Sequence, residues 1–83
     1  MAHRQITHVH KNDIGNITHV GVAGQWRDTV ADVVYYINHN INSYYVRVDG
    51  LTVNVRVVPG QPSYLRTDPD RTVRNNLDNL DRF

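Results

Sequence analysis

The feature that most constrains this chain is a strict alternation of apolar and polar residues on both sides of an Asp-Gly pair. Residues 44–48 read Tyr-Tyr-Val-Arg-Val and residues 51–57 read Leu-Thr-Val-Asn-Val-Arg-Val, with Asp49-Gly50 between them. A period of two is typical of a strand with one buried face, and Asp-Gly favours the two-residue turn of a β-hairpin. The sequence therefore predicts a hairpin closed at this pair.

Pairing Val48 with Leu51 sorts the hairpin into two faces. The apolar face carries Tyr44, Val46, Val48, Leu51, Val53, Val55 and Val57. The polar face carries Tyr45, Arg47, Thr52, Asn54 and Arg56. We therefore expect the first face to cover the core and the second to meet solvent or a ligand.

The N-terminal region contains a short repeated motif, because Ile-Thr-His-Val occurs at residues 6–9 and again at residues 17–20. The turn-rich residues 12–16 lie between the two copies, which predicts a second hairpin. If Asp13 pairs with Asn16, Val9 faces Val20 and His10 faces His19. The side chains of His8, His10 and His19 then share one face.

The rest of the chain supplies one helix, a last strand and a C-terminal turn. Apolar residues recur at helical spacing between Trp26 and Asn40, with Asp28 or Thr29 as the N-cap. A short strand is predicted over residues 63–67, and leucines at helical spacing follow near the C-terminus. The predicted fold is therefore a single α+β domain over residues 1–83. It has an antiparallel sheet of about five strands in the order ββαβββ, packed on one helix, and a short C-terminal helical turn.

Composition excludes several classes of protein. The chain has 83 residues, no Cys and a formal net charge of +1. The charge gives no bulk electrostatic argument for nucleic acid, and no apolar run is long enough to span a membrane. A core this small commonly needs support from self-association. We therefore expect a cytoplasmic homo-oligomer.

Several segments resemble one family. They are Ile6-Thr7-x-Val9, Tyr44-Tyr45-Val46, Tyr64-Leu65-Arg66-Thr67-x-x-Asp70 and Asn76-Leu77-x-x-Leu80, in that order. The chain is similar to the small bacterial and phage proteins of the domain-of-unknown-function family DUF3892. The resemblance covers nearly the whole chain and supports the fold, but the family has no assigned activity, so it implies no site.

The polar face of the central hairpin is the leading candidate site. Two or three guanidinium groups beside a phenol and an amide can clamp a phosphate and stack on a base. The predicted ligand-binding residues are Tyr45, Arg47, Asn54, Arg56, Tyr64 and Arg66. The alternative interpretation is a solvated face whose arginines pair with Asp, with Arg66 held by Asp68 or Asp70.

The second candidate site is the histidine face. Three imidazoles from His8, His10 and His19 could hold zinc with an open fourth position. The alternative is that these are ordinary surface histidines. Because no nucleophile elbow, phosphate-binding glycine loop or HExxH motif is present, we predict no catalytic residue.

These observations lead to one leading hypothesis and two alternatives. The first is a non-catalytic binding protein of phage type that sequesters a small, anionic, nucleotide-like ligand and needs no cofactor. The second is a protein–protein interaction module without a small-molecule ligand. The third is the metal site on the three histidines.

Overall fold

The computed structural model describes residues 2–48, 50–67 and 76–83. Within these residues the chain forms eight strands, one α-helix and one 3-10 turn. The strands are β1 (Ala2–Gln5), β2 (His8–Lys11), β3 (Ile17–Val22), β4 (Trp26–Thr29), β5 (Asn42–Val48), β6 (Leu51–Val58), β7 (Tyr64–Thr67) and β8 (Asp81–Arg82). The helix α1 is Val30–Asn38, and the 3-10 turn is Asn76–Asn79.

The strands form two four-stranded sheets. The first sheet has the order β1-β5-β6-β7, and the second sheet has the order β4-β3-β2-β8. The pairs β1–β5 and β2–β8 are parallel, and the other pairs are antiparallel. Each sheet therefore combines local hairpins with one strand that comes from a distant part of the sequence.

The N-terminal segment joins the two sheets. The backbone N–H of Ile6 donates to the carbonyl oxygen of Tyr45 in the first sheet, at 2.8 Å. The next N–H, that of Thr7, donates to the carbonyl oxygen of Gly21 in the second sheet, at 3.0 Å. Strands β1 and β2 are thus one nearly continuous stretch that passes from one sheet to the other.

One hydrophobic core serves both sheets, the helix and the C-terminal turn. Its buried apolar residues are Ile6, Val9, Val20, Val33, Tyr44, Val46, Val53, Val55, Leu65 and Leu77. Val33 is the buried residue of α1, and Leu77 is a buried apolar residue of the 3-10 turn. Because the strands bury alternate residues, the opposite face of each sheet is turned away from this core.

The predicted α+β arrangement, one antiparallel sheet of about five strands packed on a helix, is wrong. The described residues are mostly β, with eight strands in two sheets and one short helix. Strands β1, β4 and β8 are only two to four residues long and are too short to show a clear alternation. They form because a neighbouring strand offers backbone partners, which local sequence does not reveal.

The helix begins directly after one of the two predicted N-cap residues. Residues 26–29 form strand β4, and α1 begins at Val30. Thr29 is the N-cap, because its hydroxyl oxygen accepts the backbone N–H of Asp32 at 3.1 Å. The predicted C-terminal helical turn is present as the 3-10 turn. No helix in the described part of the chain is long and apolar enough to cross a membrane.

The predicted cross-strand pairs are confirmed in both hairpins. Val48 pairs with Leu51 in the central hairpin. Val9 pairs with Val20 and His10 pairs with His19 in the N-terminal hairpin. The N-terminal hairpin has a bulge after His10. A backbone hydrogen bond from Asn12 to Asn16 closes its turn, which is therefore not the predicted two-residue loop.

Candidate functional site

The outer face of the first sheet carries all six predicted ligand-binding residues. In the strand register Tyr45 lies opposite Asn54, and Arg47 lies opposite Thr52. The pairing of β6 with β7 places Arg56 opposite Arg66 and Val58 opposite Tyr64. The alternate residues of these strands, among them Val46, Val53, Val55 and Leu65, are buried. The six side chains therefore lie on the side of the sheet turned away from the core. We call this surface the arginine face.

Arg56 and Arg66 form the centre of positive charge on this face. They are directly opposed residues of an antiparallel pair, so their Cα atoms are about 5 Å apart. Arg56 is exposed and Arg66 is half-buried. The Nε of Arg66 donates to the carbonyl oxygen of Thr67 at 3.4 Å. The predicted alternative partners, Asp68 and Asp70, lie outside the described residues.

Arg47 lies at the far end of the arginine face. Its cross-strand partner Thr52 is four residues from Arg56 along β6, which corresponds to about 13 Å. One guanidinium nitrogen of Arg47 donates to the hydroxyl of Thr52 at 3.2 Å, and the other donates to the carbonyl oxygen of Gly50 at 3.4 Å. The sheet thus brings Arg56 and Arg66 together, whereas Arg47 supports the hairpin end.

The two tyrosines on the face differ in what surrounds them. Tyr45 is half-buried, and the ring of His3 stacks on it with centroids 4.5 Å apart. The Nδ1 of His3 in turn lies 2.6 Å from the Ser43 hydroxyl oxygen. Tyr64 is 52% exposed and lies two residues from Arg66. Of the two rings, Tyr64 is therefore better placed to stack on a bound base.

Tyr64 also borders a groove that sequence reasoning missed. The groove has a volume of about 920 Å³ and lies between the β2–β3 turn, the start of α1 and the start of β7. Its lining residues include Ile17, Thr18, Thr29, Val30, Val34, Ser63, Tyr64 and Leu65. These residues come from three segments far apart in the sequence, so no local motif could have indicated the cavity.

The outer face of the second sheet carries the three predicted histidines. Val9 and Val20 are buried, so the neighbouring His8, His10 and His19 lie on the opposite side of their strands. The rings of His10 and His19 face each other with centroids 5.8 Å apart and an interplanar angle of 66°.

His8 does not join this pair. It lies opposite Gly21, and its ring contacts that of Phe83, with centroids 5.7 Å apart. Among the side chains that the structure describes, no group of three or more His or Asp is placed to hold a metal ion. The structure thus brings together two of the three predicted imidazoles.

A charged cluster joins the edges of the two sheets. The Arg4 guanidinium lies 3.9 Å from the centroid of the Trp26 ring and 3.8 Å from the Asp28 carboxylate. The phenol of Tyr44 is next to it, and burial raises the pKa of that phenol above its ordinary value of 10.0. The amide of Asn42, which donates to the Tyr44 oxygen at 3.1 Å, and the Arg4 charge offset part of this rise. The ion pair between Arg4 on β1 and Asp28 on β4 thus links the first sheet to the second.

Comparison with known proteins identifies the family. No curated protein and no solved structure matches the chain. One family model, described as "Protein of unknown function (DUF3892)", matches residues 5–81. The match includes strands from both sheets, the helix and the 3-10 turn, and it confirms the resemblance seen in the sequence. The chain belongs to the DUF3892 family.

Proposed function

We propose that this protein is a non-catalytic binding protein that holds a small, anionic, nucleotide-like ligand on the arginine face. The observation that carries the proposal is the cross-strand pair Arg56–Arg66 with exposed Tyr64 beside it. We further propose that it is a cytoplasmic protein of phage type that sequesters nucleotides and acts as a homo-oligomer.

The arginine pair supports recognition of a phosphate. Guanidinium groups present planar pairs of N–H donors that match phosphate oxygens in bidentate geometry. The pair is thus better suited to an anion than to a neutral ligand.

The position of Tyr64 supports an aromatic base as the second part of the ligand. Tyr64 and Arg66 are separated by two residues on one strand, which corresponds to about 7 Å. This separation is comparable to the span of the sugar between the base and the phosphate of a nucleotide.

The overall charge favours a small anion over a nucleic-acid strand. Binding to a nucleic-acid backbone requires several phosphate contacts along the chain. The protein has a formal net charge of only +1, and Arg47 is about 13 Å along the strand from the Arg56–Arg66 pair. Among the described residues of the arginine face, Arg56 and Arg66 are paired across two strands and Arg47 lies apart from them.

The test is nucleotide binding measured by thermal shift and titration calorimetry. Adenosine and guanosine mono- and triphosphates and cyclic dinucleotides form the panel, and the variants are Arg56→Gln with Arg66→Gln, and Tyr64→Leu. Arg47→Gln is the control, because it removes one positive charge from the far end of the same face. We expect the arginine double variant to weaken binding about 100-fold, since hydrogen bonds to charged groups contribute about 1.5–3 kcal/mol each.

The other variants measure separately what Tyr64 and Arg47 contribute to binding. Tyr64→Leu should weaken binding at least fivefold, because stacking of a base on an aromatic ring contributes about 1–3 kcal/mol. Arg47→Gln should change the affinity less than threefold. If the double Gln variant unfolds, Arg56→Lys with Arg66→Lys keeps the charge but removes the planar donor fork. Equal losses in the Arg47 and Arg56–Arg66 variants, or no binding of any nucleotide by the wild-type protein, would overturn the proposal.

One observation favours a protein-interaction module as the second candidate. Ile14, at the tip of the β2–β3 turn, is 81% exposed, and its neighbours Gly15 and Asn16 line the groove. A large apolar side chain at a loop tip beside an apolar groove is typical of a contact surface. If the nucleotide panel fails, this interpretation becomes the leading one.

A further inference from the structure

We propose that His10 and His19 form a two-imidazole binding site for a divalent transition-metal ion. The site lies on the outer face of the second sheet and is independent of the proposed nucleotide site on the first. The two residues are direct cross-strand partners, and their ring centroids are 5.8 Å apart. Neutral imidazoles are the preferred protein ligands of zinc, copper and nickel.

The ring separation suits a shared ion. A metal–nitrogen bond of about 2.1 Å places each ring centroid about 3.2 Å from the ion, so tetrahedral coordination separates the two centroids by about 5 Å. A linear arrangement would separate them by about 6.4 Å on the same bond length. The observed 5.8 Å lies between these limits. The centroid separation is therefore compatible with both rings binding one ion once their side chains rotate to point a nitrogen at it.

Hydrogen bonds of Thr18 determine which nitrogen of His19 can bind the ion. The Thr18 hydroxyl donates to the backbone carbonyl oxygen of His10 at 3.2 Å, and the same oxygen lies 2.9 Å from Nδ1 of His19. A hydroxyl has one proton to donate, and the Thr18 hydroxyl donates it in the hydrogen bond to the carbonyl oxygen of His10. The Nδ1–H of His19 must then donate to Thr18, which leaves the lone pair of the neutral ring on Nε2.

Thr18 is thus a positioning residue for the site. A metal-binding histidine almost always donates its second ring N–H to a fixed oxygen, which sets its tautomer and orientation. Thr18 provides this oxygen and also links it to the backbone of His10 on the neighbouring strand. The first copy of the Ile-Thr-His-Val motif has the same Thr–His contact, because the Thr7 hydroxyl oxygen lies 2.8 Å from Nδ1 of His8.

His8 is not a ligand in this proposal. Its ring packs against Phe83, and its cross-strand partner is Gly21. With two protein ligands, water completes the coordination of the ion. The site therefore accepts an ion that favours imidazole and retains open positions.

The test is titration of the untagged full chain with Zn²⁺, followed by calorimetry. We expect one Zn²⁺ per chain, and we expect His10→Ala and His19→Ala each to weaken binding at least tenfold. His8→Ala is the matched control on the same strand face, and His3→Ala is the control on the other sheet. Both controls should stay within about twofold of the wild-type affinity. Equal losses in His8→Ala, or no zinc binding by the wild-type chain, would overturn the site.

A second measurement tests the role of Thr18. Nitrogen-15 spectra of the histidine rings should show protonated Nδ1 in His19 and a shift of its Nε2 resonance when Zn²⁺ binds. Thr18→Val should abolish the tautomer preference and weaken zinc binding about tenfold, whereas Thr18→Ser should retain both. A zinc-dependent shift at Nδ1 of His19, or wild-type behaviour of Thr18→Val, would contradict the positioning role.

Discussion

Tyr44 shows how one residue couples the core to the edge of the first sheet. Its side chain is almost fully buried, its ring lies 6.0 Å from that of Trp26, and its hydroxyl accepts a hydrogen bond from Asn42. A phenolate in this position would lose its hydration, so burial raises the pKa of Tyr44 above 10.0. The neutral phenol is therefore part of the folded state.

This pKa shift predicts a loss of stability at alkaline pH. Because the folded-state pKa of Tyr44 lies above that of the unfolded chain, the folded state binds this proton more tightly. The stability that results is complete below pH 10.0 and is lost as the pH rises through the folded-state pKa. Urea unfolding should show a steeper fall above pH 10.0 for the wild-type protein than for Tyr44→Phe.

Tyr35→Phe is the control for this measurement, because Tyr35 is 52% exposed on the helix. It should show the same alkaline slope as the wild-type protein. A Tyr44→Phe variant that kept the full wild-type slope would show that the buried phenol is not the source of the pH dependence.

Single residues also show how far an alternating pattern can predict burial. The central hairpin was predicted to bury one face, and Tyr44, Val46, Val53 and Val55 are buried as expected. Leu51 is on the same face but is 50% exposed, because it lies at the hairpin end. The alternation thus predicts which face points inward, and the extent of the core decides how much of that face is covered.

At the scale of elements, the strands that were missed are short segments whose pairing the local sequence does not reveal. Strand β1 is the polar segment Ala-His-Arg-Gln, and it pairs in parallel with β5, about forty residues later in the chain. Strand β4 precedes the helix and was not predicted. The capping residue Thr29 predicted where the helix begins, whereas β4 forms through its pairing with β3.

The close approach of β3 and β4 gives a prediction at Gly21. A Cβ atom at this position would lie 2.1 Å from the backbone oxygen of Trp26 and 2.9 Å from Cα of Arg27. Gly21→Ala therefore requires the two strands to separate, and we expect a loss of about 3 kcal/mol in the free energy of unfolding. Urea denaturation measures the change.

Gly15→Ala is the control for this substitution. A Cβ atom at Gly15 meets nothing within 4 Å, so only its left-handed backbone (φ +87°) opposes the change. This variant should lose about 1 kcal/mol. Equal losses in the two variants would contradict the steric explanation for Gly21.

At the scale of the whole molecule, two sheets around one core leave two outer faces with different chemistry. The first sheet presents the arginine face, and the second sheet presents the histidine pair. Alternation within β5 and β6 predicted which side chains share the arginine face. The predicted Val48–Leu51 pairing also fixed Arg47 at a distance of four residues from Arg56 along the strand. The sequence could not predict that β7 sets Arg66 opposite Arg56, because that depends on the register of β7 against β6.

The most direct test of the central proposal is to map where a nucleotide binds. Backbone amide resonances are followed by NMR while the nucleotide that gives the largest thermal shift is added. We expect perturbations centred on residues 54–58 and 64–67, with little change in β2 and β3. Perturbations centred on the second sheet, or spread evenly over all arginines, would contradict the assignment of the arginine face as the binding site.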